Sequence, residues 1–247
     1  MGLSSHASAL LLRSVDYGDS DRVVTLFTRE HGKVSCLAKG ARSSRRRLSG
    51  LQVFSLLDIE LRHKTQGLDQ LLQARPRAFA GGLLSDLSAL AHAYVLLELT
   101  DRFEELGSPQ PQVFDLLWAS LLALADGAPL AWTRCSFSLR LLDLAGLAPD
   151  LDACRACGRE WPLLQTWLSA EQGGWLCGAC AGARKLAGPG LDQAQAESLR
   201  VAMAGSPQRP TISPAASGAV ERLMEYHLGR SLKSGAALES LLAPLPQ

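Results

Sequence analysis

The chain has 247 residues, 47% of them hydrophobic and 20% charged, with 25 Lys+Arg against 24 Asp+Glu. This composition supports a buried core and excludes a globally disordered chain, and no apolar run approaches the roughly 20 residues of a membrane span. The net charge of +1 hides a division: residues 1–80 carry 13 Lys/Arg and 7 Asp/Glu, whereas residues 81–150 carry 3 and 9. Such an asymmetry points to an anionic partner for the basic part. No charged segment followed by an apolar one opens the chain, so no leader is read and a cytoplasmic protein is expected.

The first 80 residues read as strands and turns. Ala9–Val15 forms a first strand, Tyr17–Asp21 a turn, and Arg22–Thr28 a β-branched second strand. Arg29–Lys33 is a hairpin loop with Gly32 able to take a positive φ, and Val34–Lys39 alternates as a third strand. Phe54–Leu61 and Leu68–Leu72 complete five strands, the size of an OB-fold or a similar small barrel. Between the third and fourth strands runs Lys39-Gly40-Ala41-Arg42-Ser43-Ser44-Arg45-Arg46-Arg47, five of whose nine residues are cationic and none acidic. So dense a run repels itself unless an anion neutralises it, and the planar guanidinium fork suits phosphate oxygens. The candidate nucleic-acid-binding residues are Arg22, Lys33, Lys39, Arg42, Arg45, Arg46 and Arg47; the alternative is a merely solvated basic loop. Arg13 also flanks the loop. Tyr17, Phe27, His31 and Phe54 are the aromatic rings available for stacking, with Phe27 and Phe54 expected in the core and His31 expected exposed.

From Leu83 the periodicity turns helical. Ser85 or Asp86 caps a helix reaching Leu106, and Gly107-Ser108-Pro109 stops it. Val113–Leu124 and Trp132–Leu144 follow, and three antiparallel helices are expected to form one bundle. Its acid surplus, at Asp101, Glu104 and Glu105, is read as a solvated face. Helices resume at Leu191–Met203 and Ser217–Leu232, with Ser213-Pro214 as a start signal and Arg230 and Lys233 one turn apart on one face.

Between these helices lie Cys154-x2-Cys157 and Cys177-x2-Cys180, nineteen residues apart. Two residues between cysteines make a tight turn that aims both sulfurs at one ion, and two such pairs at this spacing fit a tetrathiolate zinc site. Gly158 and Gly178 would relax the two turns, and Gln172-Gly173-Gly174 reads as a hairpin tip between them. Two disulfides or redox-active Cys pairs are the alternatives; the first needs an oxidising compartment and the second a βαβ setting. A closed four-sulfur shell makes the expected Zn2+, one ion, structural rather than catalytic. Cys36 and Cys135 are expected as buried small hydrophobes. No nucleotide-loop, zinc-protease, nucleophile-elbow or dinucleotide motif is present, and no enzyme is expected.

The run from Ser14 to Lys33, SVDYGDSDRVVTLFTREHGK, followed by Ala38-Lys39-Gly40-Ala41-Arg42 and the basic loop, resembles the bacterial RecO recombination mediators. Leu51-Gln52-Val53-Phe54, Tyr226-His227-Leu228-Gly229 and Leu232-Lys233-Ser234 are similar to further segments of that family, and the four-cysteine module resembles one that part of the family carries. The resemblance implies a multidomain protein: an N-terminal OB-fold β-barrel (1–80), a helical bundle (81–150), a four-cysteine zinc ribbon (151–185) inserted in the α-helical domain, and C-terminal helices completing it (186–247). It implies DNA repair and homologous recombination, through binding of single- and double-stranded DNA and annealing of complementary strands. It further implies that the protein, with RecR, helps load RecA onto strands coated by single-stranded DNA-binding protein, in a nucleoid-associated setting. The competing expectation is a zinc-ribbon RNA-binding or transcription-associated adaptor.

Overall fold

A computed structural model describes residues 3–42, 47–48, 50–186 and 188–232. Arg45, Arg46 and Lys233 lie outside the described residues. The chain divides into two compact units, Met1–Asp126 and Gly127–Gln247.

The first unit is built on a closed five-stranded barrel: β1 (Ser4–Tyr17), β2 (Asp21–Thr28), β3 (Gly32–Ala38), β4 (Ser55–Arg62) and β5 (Asp69–Phe79), in the order β1-β2-β3-β5-β4. All pairs are antiparallel except β3 with β5, so this is the OB arrangement. β1 is long because it serves two partners. Ser4–Leu10 pairs with β4, Ala9–Tyr17 with β2, and a register shift between Leu11 and Arg13 bends the strand from one to the other. Alternation then sends Ala9, Leu11, Val24, Leu26, Leu57, Ile59 and their neighbours into the barrel interior. Gly32 takes φ 68°, and a Cβ there would stand 2.0 Å from the Ser108 carbonyl oxygen. Only glycine satisfies both demands.

The outer side of the barrel receives two helices, α1 (Leu87–Phe103) and α2 (Pro111–Ala125), after a 3-10 turn at Gly81–Ser85. Asp86 caps α1 by accepting from the Ser88 and Ala89 amides. Phe27, on the outer face of β2, meets Phe114 of α2 at 5.9 Å between ring centroids, and Phe54 meets Tyr94 of α1 at 5.1 Å. Both phenylalanines are buried, as expected.

The second unit holds α3 (Leu130–Leu144), β6 (Gln165–Ser169), β7 (Gly174–Cys177), α4 (Gly178–Ala183), β8 (Leu191–Asp192), α5 (Gln193–Met203) and α6 (Pro214–Leu228). The three helices expected to make one bundle therefore divide between the units: α3 packs on α5 and α6. Local periodicity identified each helix but carried no information about its partners. Ser213 caps α6 with Pro214 in its first turn, and the helix ends at Leu228 because Gly229 turns left-handed at φ 66°. Arg230 thus lies beyond the helix, and its expected companion Lys233 lies outside the described residues. No helix among the described residues is long and apolar enough to cross a membrane.

Candidate metal centre and nucleic-acid interface

The hairpin expected between the cysteine pairs is β6–β7, with Gly173 in its turn at φ 68°. The first pair sits in a tight knuckle. The Cys154 amide donates to the Arg159 carbonyl at 2.8 Å, and the Gly158 amide donates back to the Cys154 carbonyl at 2.8 Å. Gly158 closes the turn at φ 72°. A bond from the Arg155 amide to the Trp175 carbonyl, 2.8 Å, fixes this knuckle on β7. The second pair differs from a second knuckle: Cys177 ends β7 and caps α4, which carries Cys180. Gly178 is the first residue of that helix and needs no special φ.

The four Sγ atoms lie within 4.8 Å of one another, with Cys157 and Cys177 at 3.8 Å. All four cysteines are free thiols, and that distance is too long for a disulfide, which needs about 2.0 Å. It equals the edge of a sulfur tetrahedron around an ion with bonds of about 2.3 Å. The charge chemistry agrees. Burial opposes ionisation of Cys154, but amide donors from Cys177, Cys157 and Ala156 outweigh it and pull the thiol down to about 6. Hydrogen bonding to the Cys177 and Cys157 sulfurs, with burial, pushes the Cys180 thiol up to about 12. Sulfurs so crowded cannot all ionise without a cation among them. The residues fit a four-thiolate metal ion. By contrast, burial raises the Cys36 thiol to about 12 and the Cys135 thiol to about 11, as inert core side chains.

The metal module is part of a larger sheet, β7-β6-β8, whose third strand went unread in the sequence. β8 has two residues, and its Asp192 immediately caps α5 in a reciprocal capping box with Gln195. Arg200 of α5 reaches back, 2.7 Å from Asp152 and 5.0 Å over the Trp161 ring.

At the barrel, the candidate residues separate into distinct environments. The basic loop leaves β3 beside the β1–β2 turn: the Gly40 amide donates to Asp21 Oδ1 at 2.8 Å and the Arg42 amide to the Ser20 carbonyl at 3.1 Å. Arg22 and Arg42 share Asp16, at 3.0 and 3.8 Å. Lys39 and Arg47 are exposed and without an ion pair among the described residues. Lys33 points elsewhere. Only 13% of its side chain is exposed, its ammonium donates to the Asp101 backbone carbonyl, and Asp101 Oδ1 is 3.5 Å away. Tyr17 remains 60% exposed at the end of β1.

Two expectations need correction. The acid surplus is only in part a solvated face: Glu105 is exposed, but Asp101 pairs with Lys33 and, at 3.7 Å, with Arg13, Glu104 is half-buried, and the exposed Asp115 of α2 holds Arg29 through two bonds of 3.0 Å. His31 is half-buried rather than exposed; its Nε2 is enclosed without a hydrogen-bond partner among the described residues, and its ring lies 5.9 Å from that of His63. Sequence inspection also missed a polar clasp in which His63 Nδ1 is 2.8 Å from Asp69 Oδ2 and His63 Nε2 is 2.8 Å from Ser5 Oγ. Its distances are those of a Ser-His-Asp relay. Ser5, however, lies inside the β1–β4 ladder opposite Leu61, not on the exposed turn that presents a nucleophile. The clasp ties the β4–β5 connection to β1.

The fold and sites thus define an OB-barrel protein with a helical second unit and a four-cysteine cluster that fits a metal ion. Residues 1–79 match the family model for the recombination protein O N terminal region, and residues 84–236 the one for its C terminal region. The chain is 39% identical over 245 residues to a DNA repair protein RecO of Anaeromyxobacter dehalogenans, covering 95% of both chains. It is 35% identical over 229 residues to that of Pelobacter propionicus, covering 92% of each, and 36% identical over 231 residues to that of Myxococcus xanthus, covering 92% of this chain and 93% of the relative. The chain belongs to the RecO family.

Proposed function

We propose that this protein is a DNA repair and recombination mediator that binds single- and double-stranded DNA, anneals complementary strands and, with RecR, helps load RecA onto strands coated by single-stranded DNA-binding protein. The observation that carries the proposal is the family membership, which spans the barrel and the helical unit alike. Physically, annealing asks for a cationic surface that holds two phosphate backbones and screens their repulsion, while base pairing supplies specificity; no bond is made or broken by the protein. The loop Lys39–Arg47 supplies that surface, through Lys39, Arg42, Arg45, Arg46 and Arg47, with Arg22 at its base. Lys33 contributes to the fold instead, because α1 holds its ammonium. The metal is one structural Zn2+ on Cys154, Cys157, Cys177 and Cys180: all four positions are filled by protein sulfur, leaving none for substrate. The setting is the cytoplasm, on the nucleoid.

The test is annealing of complementary oligonucleotides, with and without single-stranded DNA-binding protein, by wild type and by a variant with Arg45, Arg46 and Arg47 changed to Glu. Wild type should anneal, bind RecR and lose affinity steeply with salt, and the variant should lose annealing while keeping its fold. Salt-dependent RNA or DNA binding with neither annealing nor RecR binding would replace the proposal by the adaptor class.

A further inference from the structure

The barrel carries a second cationic surface on β5. The loop that leaves β3 at Ala38 returns along this strand: the Ala74 amide donates to the Arg47 carbonyl at 2.9 Å, and a Cβ on Gly50 would stand 2.4 Å from Pro76 Cδ. β3 has ended by then, since its last β5 pairing is Leu37 with Gln70, so this stretch of β5 has the returning loop beside it. Pro76 fits such a position, where an edge strand needs no N–H. Ala74 pairs with the buried Ile59 and Pro76 with the buried Leu57, so Arg75 and Arg77 stand on the outward face. The register shift between Leu56 and Leu57 leaves Arg77 as the extra, unpaired residue of a bulge.

What distinguishes these arginines is that neither forms an ion pair among the described residues. Arg13, Arg22, Arg29, Lys33 and Arg42 each have a carboxylate within 4 Å. Arg75 and Arg77 are exposed and have none among the described residues. Arg75 meets only the neutral side-chain amide of Gln73, at 2.9 and 3.0 Å; Asp58 stands opposite it in register without forming an ion pair. Arg62 and Lys64, also exposed and without an ion pair among the described residues, lie toward the other end of the β4–β5 pair.

We propose that Arg75 and Arg77, continuing from Arg47, form a track for a phosphodiester backbone, so that the nucleic-acid surface runs from the basic loop onto the outer face of β5. This rests on the nucleic-acid-binding function proposed above and names side chains that neither the motif nor the charge run of the loop contains. An arginine whose fork is not already occupied by a carboxylate can release a phosphate's counterions without first breaking an ion pair.

The experiment is a salt titration of the full chain binding a fluorescein-labelled dT30 strand and a 30-base-pair duplex. Three charge variants are compared: Arg75→Gln/Arg77→Gln, Arg13→Gln/Arg29→Gln with the same net charge loss, and the triple Arg→Glu loop variant. Each single-strand phosphate contact contributes a slope of about −0.7, so losing two should flatten the slope by about 1.4 and weaken binding about 25-fold at 0.1 M salt relative to 1 M. The Arg13/Arg29 variant should keep the wild-type slope, because its cations are already paired. Arg75→Lys/Arg77→Lys should retain the slope, which a folding defect would not. Loss on duplex alone would assign the track to double strands, and loss on dT30 to single strands; both support it. A slope for Arg75→Gln/Arg77→Gln equal to that of Arg13→Gln/Arg29→Gln overturns the track. If the loop variant then loses binding, the proposed function stands without it; if the loop variant binds normally too, both fail.

Discussion

Removing the metal tests the construction of the second unit most directly. Four large side chains of the module are fully or almost fully buried: Leu151, Leu163, Trp175 and Leu176. At roughly 1.5–3 kcal/mol for each, their burial contributes about 6–12 kcal/mol. A four-thiolate zinc contributes about 10–16 kcal/mol of apparent binding free energy at neutral pH. The ion therefore equals or exceeds the apolar burial of the module, and its loss should unfold residues 150–185 and release the β8 pairing that leads into α5. The assay is stepwise chelation, following metal release, thiol titration and tryptophan emission together. Trp161, Trp167 and Trp175 are three of the five tryptophans, so the emission reports mainly on this region. Metal-loaded protein should protect the four cysteine ligands, and chelation should expose all four and shift emission to the red. Cys36 and Cys135 should stay unreactive while the core holds. The barrel unit contains none of the four ligands and should keep its own thermal transition. One equivalent of metal released with tryptophan emission and thermal unfolding unchanged would refute the reasoning.

Other substitutions separate structural from ligand-binding roles. Lys33→Ala should cost about 1–3 kcal/mol in urea unfolding by leaving Asp101 short of a partner, while leaving the salt slope of DNA binding unchanged; a flattened slope at full stability would reverse that assignment. Gly32→Ala should destabilise by about 2 kcal/mol or more, since it meets both a left-handed φ and the Ser108 carbonyl, whereas Gly18→Ala, at φ 60° with open space around it, should cost only about 1 kcal/mol. Burial raises the Glu104 carboxyl above its ordinary value, with Lys33 acting in the opposite direction. The folded state therefore binds this proton more tightly than the unfolded state, so the group favours folding as pH falls and opposes it above the folded-state pKa. Glu104→Gln should accordingly stabilise the protein at neutral pH, and the gain in urea midpoint over wild type should shrink as pH falls through that raised pKa.

What was legible in the sequence was local. Start signals placed α1 and α6, because Asp86 and Ser213 act on their own turn of backbone, whereas the expected run to Leu232 overshot the stop that Gly229 imposes at Leu228. The four cysteines were legible because a four-thiolate site asks for two close Cys-x2-Cys turns, and the fold does bring these four sulfurs together. The features that escaped depend on distant partners. β5 runs to Phe79, seven residues beyond the expected end, because a bulge absorbs Pro76 and Arg77 into a strand that proline would otherwise demote. β8 is too short for any periodicity and exists only because β6 offers it a free edge. The His63 clasp joins residues 58 positions apart through Ser5, and no spacing rule anticipates it.

The charge pattern shows the same limit from the side of function. A run of cations along the chain measures how much positive charge a segment has, not how much it offers. Within the first unit, acids of α1 and α2 occupy Arg13, Arg29 and Lys33, and Asp16 occupies Arg22 and Arg42. Part of the barrel's positive excess thus serves to seat its helices and to hold the root of its own loop. A phosphate competing for these cations must displace a carboxylate, so they gain less from it than an unpaired arginine does. On the proposed reading, what a polyanion meets is therefore set by which cations are left without an ion pair, not by how many the segment contains. If the proposed nucleic-acid binding holds, the strongest attraction should fall on Lys39, Arg47, Arg75 and Arg77, and the salt slope of each variant, rather than a residue's count in the sequence, measures its share.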